Sequence, residues 1–376
     1  MIYFDHAATT PISSDALQVF IKASKEYFAN PSSLHEQGEK AKLLLEKCRA
    51  EVAGLLRVEA AEMYFTSGGS EANTLALESL FFANRHKGNH IITSQTEHPS
   101  VHSVFHKLEQ QGIEVTYLAV NPAGQISLQD LQHSIRPDTV LASIQHVNSE
   151  TGTIQDIKAI GEILAANDVL FHSDCVQSFT KLPIHASEWP IDAISISSHK
   201  VCGPKGVGAV YLSSKVQWFP VQPFTSHERG FRQGTVNVPG IAAFTAAAAN
   251  SMQLQEQFLK KMSVLRDNFF RELHPISHLI TIEGTTGSQI PHIIGMGIKG
   301  VEGQYMMLTL DRHGICISTG SACQAGKQEP SVTMKALNKS PEEAKRFFRI
   351  SFGMGNTEEE IRQAANIIIK CVSEFH

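Results

Sequence analysis

Five places in this sequence carry side chains able to do chemistry. Lys200 follows an apolar run, DAISISS (192–198), and precedes the turn GPKG (203–206). An amine there can condense with a carbonyl group. Asp174 closes a second apolar run, DVLFHSD (168–174), where a carboxylate is costly to desolvate unless it meets a cation. His98 stands in TEHPSVHSVFH (96–106), just past the run HIITS (90–94). The stretch TSGGSEAN (66–73) combines small residues with a helix start, so its backbone N–H groups can hold an anion. Cys323 sits in STGSACQAGK (318–327), among Ser, Gly and Ala and without a second cysteine at metal or disulfide spacing. A thiol in such a loop is a candidate nucleophile.

Each feature alone has a plainer reading. Asp174 can cap a helix, Lys200 can be a solvated cation, and the small-residue turn can be a cap. His98, His102 and His106 share helical spacing, but no H-E-x-x-H glutamate accompanies them and Pro99 starts a helix. Only His98 is at a strand end, and no metal is expected. Together the parts match what pyridoxal phosphate requires: an amine, an acid beside the pyridine nitrogen, an aromatic over the ring, and phosphate donors. The Asp174 charge favours the protonated pyridine.

The elements that must position these groups are legible as alternation. Strands are expected at EMYFTS (62–67), HIITS (90–94), EVTYLAV (114–120), TVLASIQHV (139–147), DVLFHSD (168–174), DAISISS (192–198) and GVGAVYL (206–212). Helical stretches such as EANTLALESLFFANRH and DIKAIGEILAAN lie between them. Ala41, Leu44, Leu45, Cys48, Val52 and Leu55 recur at helical spacing ahead of the first strand. This pattern predicts an α/β fold with a mainly parallel sheet covered on both faces, and ligands at the carboxyl ends of its strands. After about residue 250 the strands HIIGMGI, ICIST and FFRISFG mix with helices, and Thr357 opens the last helix with a capping box to Glu360. The expected division is a segment 1–14 against the small domain, a large domain 15–250, and a smaller α+β domain 251–376 bearing the cysteine loop.

Bulk properties exclude other classes. The 376 residues can bury a large core, and a net charge of −5 without a basic run argues against nucleic acid. The start MIYFDHAATTP lacks the basic and apolar regions of a signal peptide, and IAAFTAAAA is too short for a bilayer. Cys48, Cys175, Cys202, Cys316, Cys323 and Cys371 are scattered, which fits a reducing, cytoplasmic setting. Cys48 and Cys371 lie on or beside apolar stripes, and Cys175, Cys202 and Cys316 are expected to be structural.

The motifs FDHAATTP (4–11), NPSSLH (30–35), FTSGGSEAN (65–73), TEHPSV (96–101), HVNSETGTIQDI (146–157), SHKVCGPKGVGA (198–209), HERGFRQGT (227–235), GSAC (320–323), EPS (329–331) and RISFG (349–353) run nearly end to end. In this order they resemble the NifS/IscS cysteine desulfurases, within the class V aminotransferase group of fold-type I PLP enzymes. The resemblance implies that Lys200 forms the Schiff base, Asp174 pairs with the pyridine nitrogen and Gln177 bonds the ring hydroxyl. It implies that His98 stacks on the ring and helps move protons, while Gly69, Ser70, Ser197 and His199 hold the phosphate. Thr235 would reach the phosphate from the partner subunit of a homodimer. Arg349 would clamp the substrate carboxylate, with Asn148 and Ser149 nearby. Cys323 would take the sulfur of L-cysteine as a persulfide for an acceptor protein, an iron–sulfur scaffold or a thiolation enzyme. Glu329, six positions beyond Cys323, implies the long loop of the NifS/IscS kind. A selenocysteine lyase, a class V transaminase or a silent scaffold of the same fold are the competing expectations. Three departures stand out: Ser149 where asparagine is usual, QPFTSHERG (222–230) without the usual glycine run, and His6 where tyrosine or asparagine is usual.

Overall fold

The computed structural model describes residues 1–224, 226–285, 287–320 and 330–374. Seven strands form the central sheet: β2 (Met63–Thr66), β3 (His90–Ser94), β4 (Glu114–Leu118), β5 (Thr139–Ser143), β6 (Leu170–Asp174), β7 (Ala193–Ser197) and β8 (Gly208–Leu212). β1 (Ile2–Tyr3) lies outside it. The spatial order is β2-β8-β7-β6-β5-β3-β4, and β8 runs antiparallel to both neighbours while the other pairs are parallel.

All five residues of β3, β5, β6, β7 and β8 are buried, which is why these segments read as apolar runs and not as alternating ones. Period-two geometry still sorts their side chains. Phe65, Ile92, Ala142, Phe171 and Ile194 face the helices Glu36–Leu56, Ile157–Ala165 and Val238–Gln253. Tyr64, Ile91, Leu141, Leu170 and Ala193 face the helices Gly69–Asn84 and Pro99–Glu109. Ala41, Leu45, Cys48 and Val52 of the predicted helix are buried, with Leu44 and Leu55 half-buried.

A second sheet contains β9 (Ile280–Ile282), β10 (Ile293–Ile298) and β12 (Phe347–Ser351), antiparallel in the order β12-β10-β9. It packs through Ile294, Met296, Phe348 and Ile350 against Phe269, Leu310 and Ile368 of three helices. The last of these, Glu358–Ser373, carries the expected capping box at Thr357 and Glu360, and Cys371 is buried in its core face. β1 pairs in parallel with β11 (Ile315–Cys316), so the chain start lies beside a segment that precedes Cys323 in the sequence. Alternation along β12 sends Phe348 and Ile350 into that core and Arg349 to the opposite side, towards the central sheet.

Candidate active site

Successive strand ends deliver the polar groups into one cleft. β6 ends at Asp174, and β7 ends at Ser197 and passes straight into the turn Ser198–Lys200. β2 leads through Gly68, at φ +151°, into the helix that starts at Gly69. A Cβ at Gly69 would come within 2.8 Å of Val176 Cγ2, so a larger residue would fill the cradle. The cleft holds a cavity of about 160 Å³, and Gly69, Ser70, His98, Asp174, Lys200 and Arg349 all line it. Ser149, Gln177 and His199 line it as well.

Asp174 is a buried carboxylate with neutral partners. Its Oδ1 accepts from the Val176 amide at 2.9 Å and its Oδ2 from Asn73 Nδ2 at 2.8 Å. Lys200 Nζ donates to the carbonyls of Ala7 and Ala8, the latter at 2.7 Å, which brings the N-terminal segment over the site. His98 caps the helix Pro99–Glu109 by accepting at Nδ1 from the Ser100 amide at 3.2 Å. Burial lowers its pKa, Asp174 opposes that shift and Lys200 adds to it. Burial first, then the cations Lys200, Lys181 and Lys205, push His199 down to about 3, so its ring is neutral.

Arg349 is 1% exposed. Its Nη1 donates to the Ser149 carbonyl at 2.8 Å and its Nη2 to Asp5 Oδ1 at 2.6 Å, while the buried Nε has no partner. Asn148 does not line the cleft. Its Oδ1 accepts from the Glu150 and Thr151 amides at 2.9 Å, and its Nδ2 donates to Thr96 O and Thr333 Oγ1. The amide is committed to shaping the turn and has no capacity left to replace what Ser149 lacks.

Thr235 is exposed and lies with Ser67, Gly206 and Arg232 in a separate depression. Cys323 lies outside the described residues. Cys175 is buried beside Asp174, where burial pushes its thiol up to about 12. His6 lies edge-on to Tyr3, with ring centroids 5.0 Å apart, and Phe224 projects fully into solvent. Sequence reasoning missed Asn73, Ser100 and Asp5. Asn73 stood inside the quoted TSGGSEAN turn, but nothing local distinguishes an amide that will meet a strand end 101 residues away.

Buried atoms without partners test whether the cleft suits pyridoxal phosphate. Ser197 Oγ and Gln177 Oε1 are buried and unpartnered, at the positions expected for the phosphate and the ring hydroxyl. Among the described residues no cation forms an ion pair with Asp174. A pyridinium nitrogen would supply one. The residues fit the cofactor.

Comparison with known proteins agrees. The family model "Aminotransferase class-V" matches residues 2–363. A Bacillus subtilis (strain 168) protein provisionally named cysteine desulfurase NifS is 49% identical over 365 residues, 96% of this chain and 92% of that one. The cysteine desulfurase IscS of Dictyoglomus turgidum is 35% identical across 100% of this chain and 95% of its own. A solved structure described as a NifS-like protein superimposes with a TM-score of 0.93 at 30% identity, covering 99% of each chain. Another, SspA in complex with cysteine, has a TM-score of 0.83 at 34% identity over 94% of this chain and 99% of its own. This chain belongs to the class V aminotransferase family, in its NifS/IscS cysteine desulfurase branch.

Proposed function

We propose that this protein is a pyridoxal-phosphate-dependent cysteine desulfurase that converts L-cysteine to L-alanine and moves the sulfur onto Cys323. The reading is carried by one observation, the convergence of Lys200, Asp174, His98 and Arg349 on a single cleft. When bound, the cofactor supplies an electron sink that weakens bonds at the substrate's Cα and beyond.

The chain's own residues then have distinct work. Lys200 supplies the tethering amine, and its Nζ takes and returns the proton on the substrate's Cα. Asp174 would pair with the pyridine nitrogen, Gln177 would bond the ring hydroxyl and His98 would stack on the ring. Gly69, Ser70, Ser197 and His199 would hold the phosphate. Thr235, exposed outside its own chain's cleft, fits a contact with the partner's phosphate in a homodimer. Arg349 offers a planar guanidinium, and its unpartnered Nε supports two-point binding of a carboxylate. Ser149 borders that carboxylate, and Asn148 holds the turn.

Cys323 accepts the sulfur. Its thiolate attacks the substrate sulfur, an S–S bond forms as the C–S bond breaks, and the electron pair stays on carbon. That carbon takes a proton and becomes the methyl group of alanine, so no outside oxidant is consumed. The persulfide then passes to an acceptor protein, an iron–sulfur scaffold or a thiolation enzyme. The test is to supply L-cysteine and follow alanine and trapped persulfide in wild type and Cys323→Ala. Loss of both sulfide release and persulfide with retained cofactor absorbance supports the reading. Undiminished sulfur release by the variant would reject the carrier role.

A further inference from the structure

A hydrogen-bonded chain joins Asp174 to His98 through two residues that the proposed roles do not use. Asn73 Nδ2 donates to Asp174 Oδ2 at 2.8 Å and to Ser100 Oγ at 2.9 Å. Ser100 Oγ lies 2.7 Å from His98 Nδ1, and the Ser100 amide donates to the same nitrogen at 3.2 Å. Asn73 is 1% exposed.

The direction of each bond follows from chemistry. An ionised carboxylate only accepts, so the Asn73 side chain must turn its NH₂ group towards Asp174. The reverse orientation would set Oδ1 against a carboxylate oxygen. The two Asn73 protons are thereby spent, one on Asp174 and one on Ser100 Oγ. Ser100 Oγ, with one lone pair taken by Asn73, keeps a proton and a second lone pair, so its contact with His98 Nδ1 could run either way. The backbone N–H of Ser100 can only donate, and it points at Nδ1. A ring nitrogen approached by that donor must present its lone pair, so Ser100 Oγ donates to it too and the proton of neutral His98 sits on Nε2 at the other side of the ring. A second proton at Nδ1 would face the Ser100 amide, in keeping with a lowered pKa caused chiefly by burial.

We propose that Asn73 and Ser100 are positioning residues that hold His98 as the neutral Nε2–H tautomer, making it a hydrogen-bond donor in the reaction and not the base. Nε2 then has no lone pair with which to take a proton, and the lone pair on Nδ1 is committed. Proton transfer at the substrate's Cα falls to Lys200 Nζ. The inference rests on the reading that His98 lies against the cofactor, and it assigns the reason for a serine and an asparagine at these positions.

The experiment is ¹⁵N NMR of histidine-labelled protein without cofactor, with His98→Gln used to assign the resonances. The expected spectrum at neutral pH has a pyridine-type Nδ1 and a pyrrole-type Nε2. Ser100→Ala should shift the Nδ1 resonance and lower kcat several-fold with little change in KM, and Ser100→Thr should restore both. A ring protonated at Nδ1, or doubly protonated, overturns the inference whatever the enzyme does with cysteine. Equal kcat in Ser100→Ala and wild type overturns the positioning role. An Nε2–H ring in a protein that forms no alanine would instead overturn the desulfurase reading.

Discussion

Asp5 Oδ1 accepts a 2.6 Å hydrogen bond from Arg349 Nη2, joining the start of the chain to the guanidinium proposed to meet the substrate carboxylate. The Arg349 side chain is 1% exposed and that of Asp5 19%. Removing one partner of such a pair leaves a buried charge uncompensated, at a cost of about 3 kcal/mol. Asp5→Ala should therefore lower the unfolding midpoint and raise the KM for cysteine about tenfold, equivalent to ~1.4 kcal/mol. Added L-alanine, which presents the same carboxylate to Arg349 as the substrate, should therefore stabilise the variant less than wild type. An equal gain in both proteins would contradict the pairing as a determinant of substrate binding.

A second buried pair ties the segment leading to Thr235 onto the large sheet. Arg49 Nη1 and Nη2 meet the two Glu228 oxygens at 2.6 and 2.9 Å, and Glu228 Oε2 also accepts from the Phe65 amide. The side chains are 4% and 1% exposed. Glu228→Ala should cost about 3 kcal/mol in urea unfolding, because Arg49 stays buried with only the half-exposed Glu46 left to pair with it. Arg49→Met combined with Glu228→Gln should restore part of that loss. A double variant as unstable as the sum of the singles would contradict the coupling.

Glu97 provides a pH signature. Its Oε1 accepts from Ser94 Oγ and the Gln145 amide, its Oε2 is buried without a partner, and burial pushes its pKa from 4.5 to about 8. The folded chain thus holds one more proton than the unfolded chain between those values. The contribution is fully present below the unfolded pKa and is lost as pH rises through the folded one. Urea midpoints of wild type relative to Glu97→Gln should fall steadily from about pH 5 to about pH 8. A difference that does not change with pH would show that Glu97 is ionised throughout.

Ser149 supplies one short hydroxyl at the cleft, and the Asn148 amide is fully occupied by the turn. Ser149→Asn should lower the KM for cysteine a few-fold, since an amide adds a donor near the carboxylate held by Arg349. Steady-state kinetics check this; an unchanged or higher KM would mean that the cleft already satisfies the carboxylate.

Much of this architecture was legible because buried strands leave continuous apolar runs. HIITS became β3 residue for residue, and DVLFHSD ended at Asp174 where β6 ends. A polar residue that closes such a run sits at the sheet's carboxyl edge, which puts Asp174, Ser197 and Lys200 in one region on the sequence alone. The pairing of Ile2–Tyr3 with Ile315–Cys316 was not legible, since two residues cannot display an alternation. Arg49 is a charged residue on a helix, where its local pairing with Glu46 points to solvent, and it is Glu228, 179 positions away, that makes its burial tolerable. The Asn73–Ser100–His98 chain was hidden for a similar reason, because helix periodicity says nothing about which strand end an amide will meet.

The central claim is that sulfur leaves L-cysteine for the side chain of Cys323. The most direct measurement is mass spectrometry of the peptide containing Cys323 after the cofactor-loaded protein meets L-cysteine without reductant. The account predicts that this peptide becomes one sulfur atom heavier in step with alanine formation, and that Lys200→Ala abolishes both. Alanine formed at the wild-type rate while that peptide keeps its original mass would contradict it.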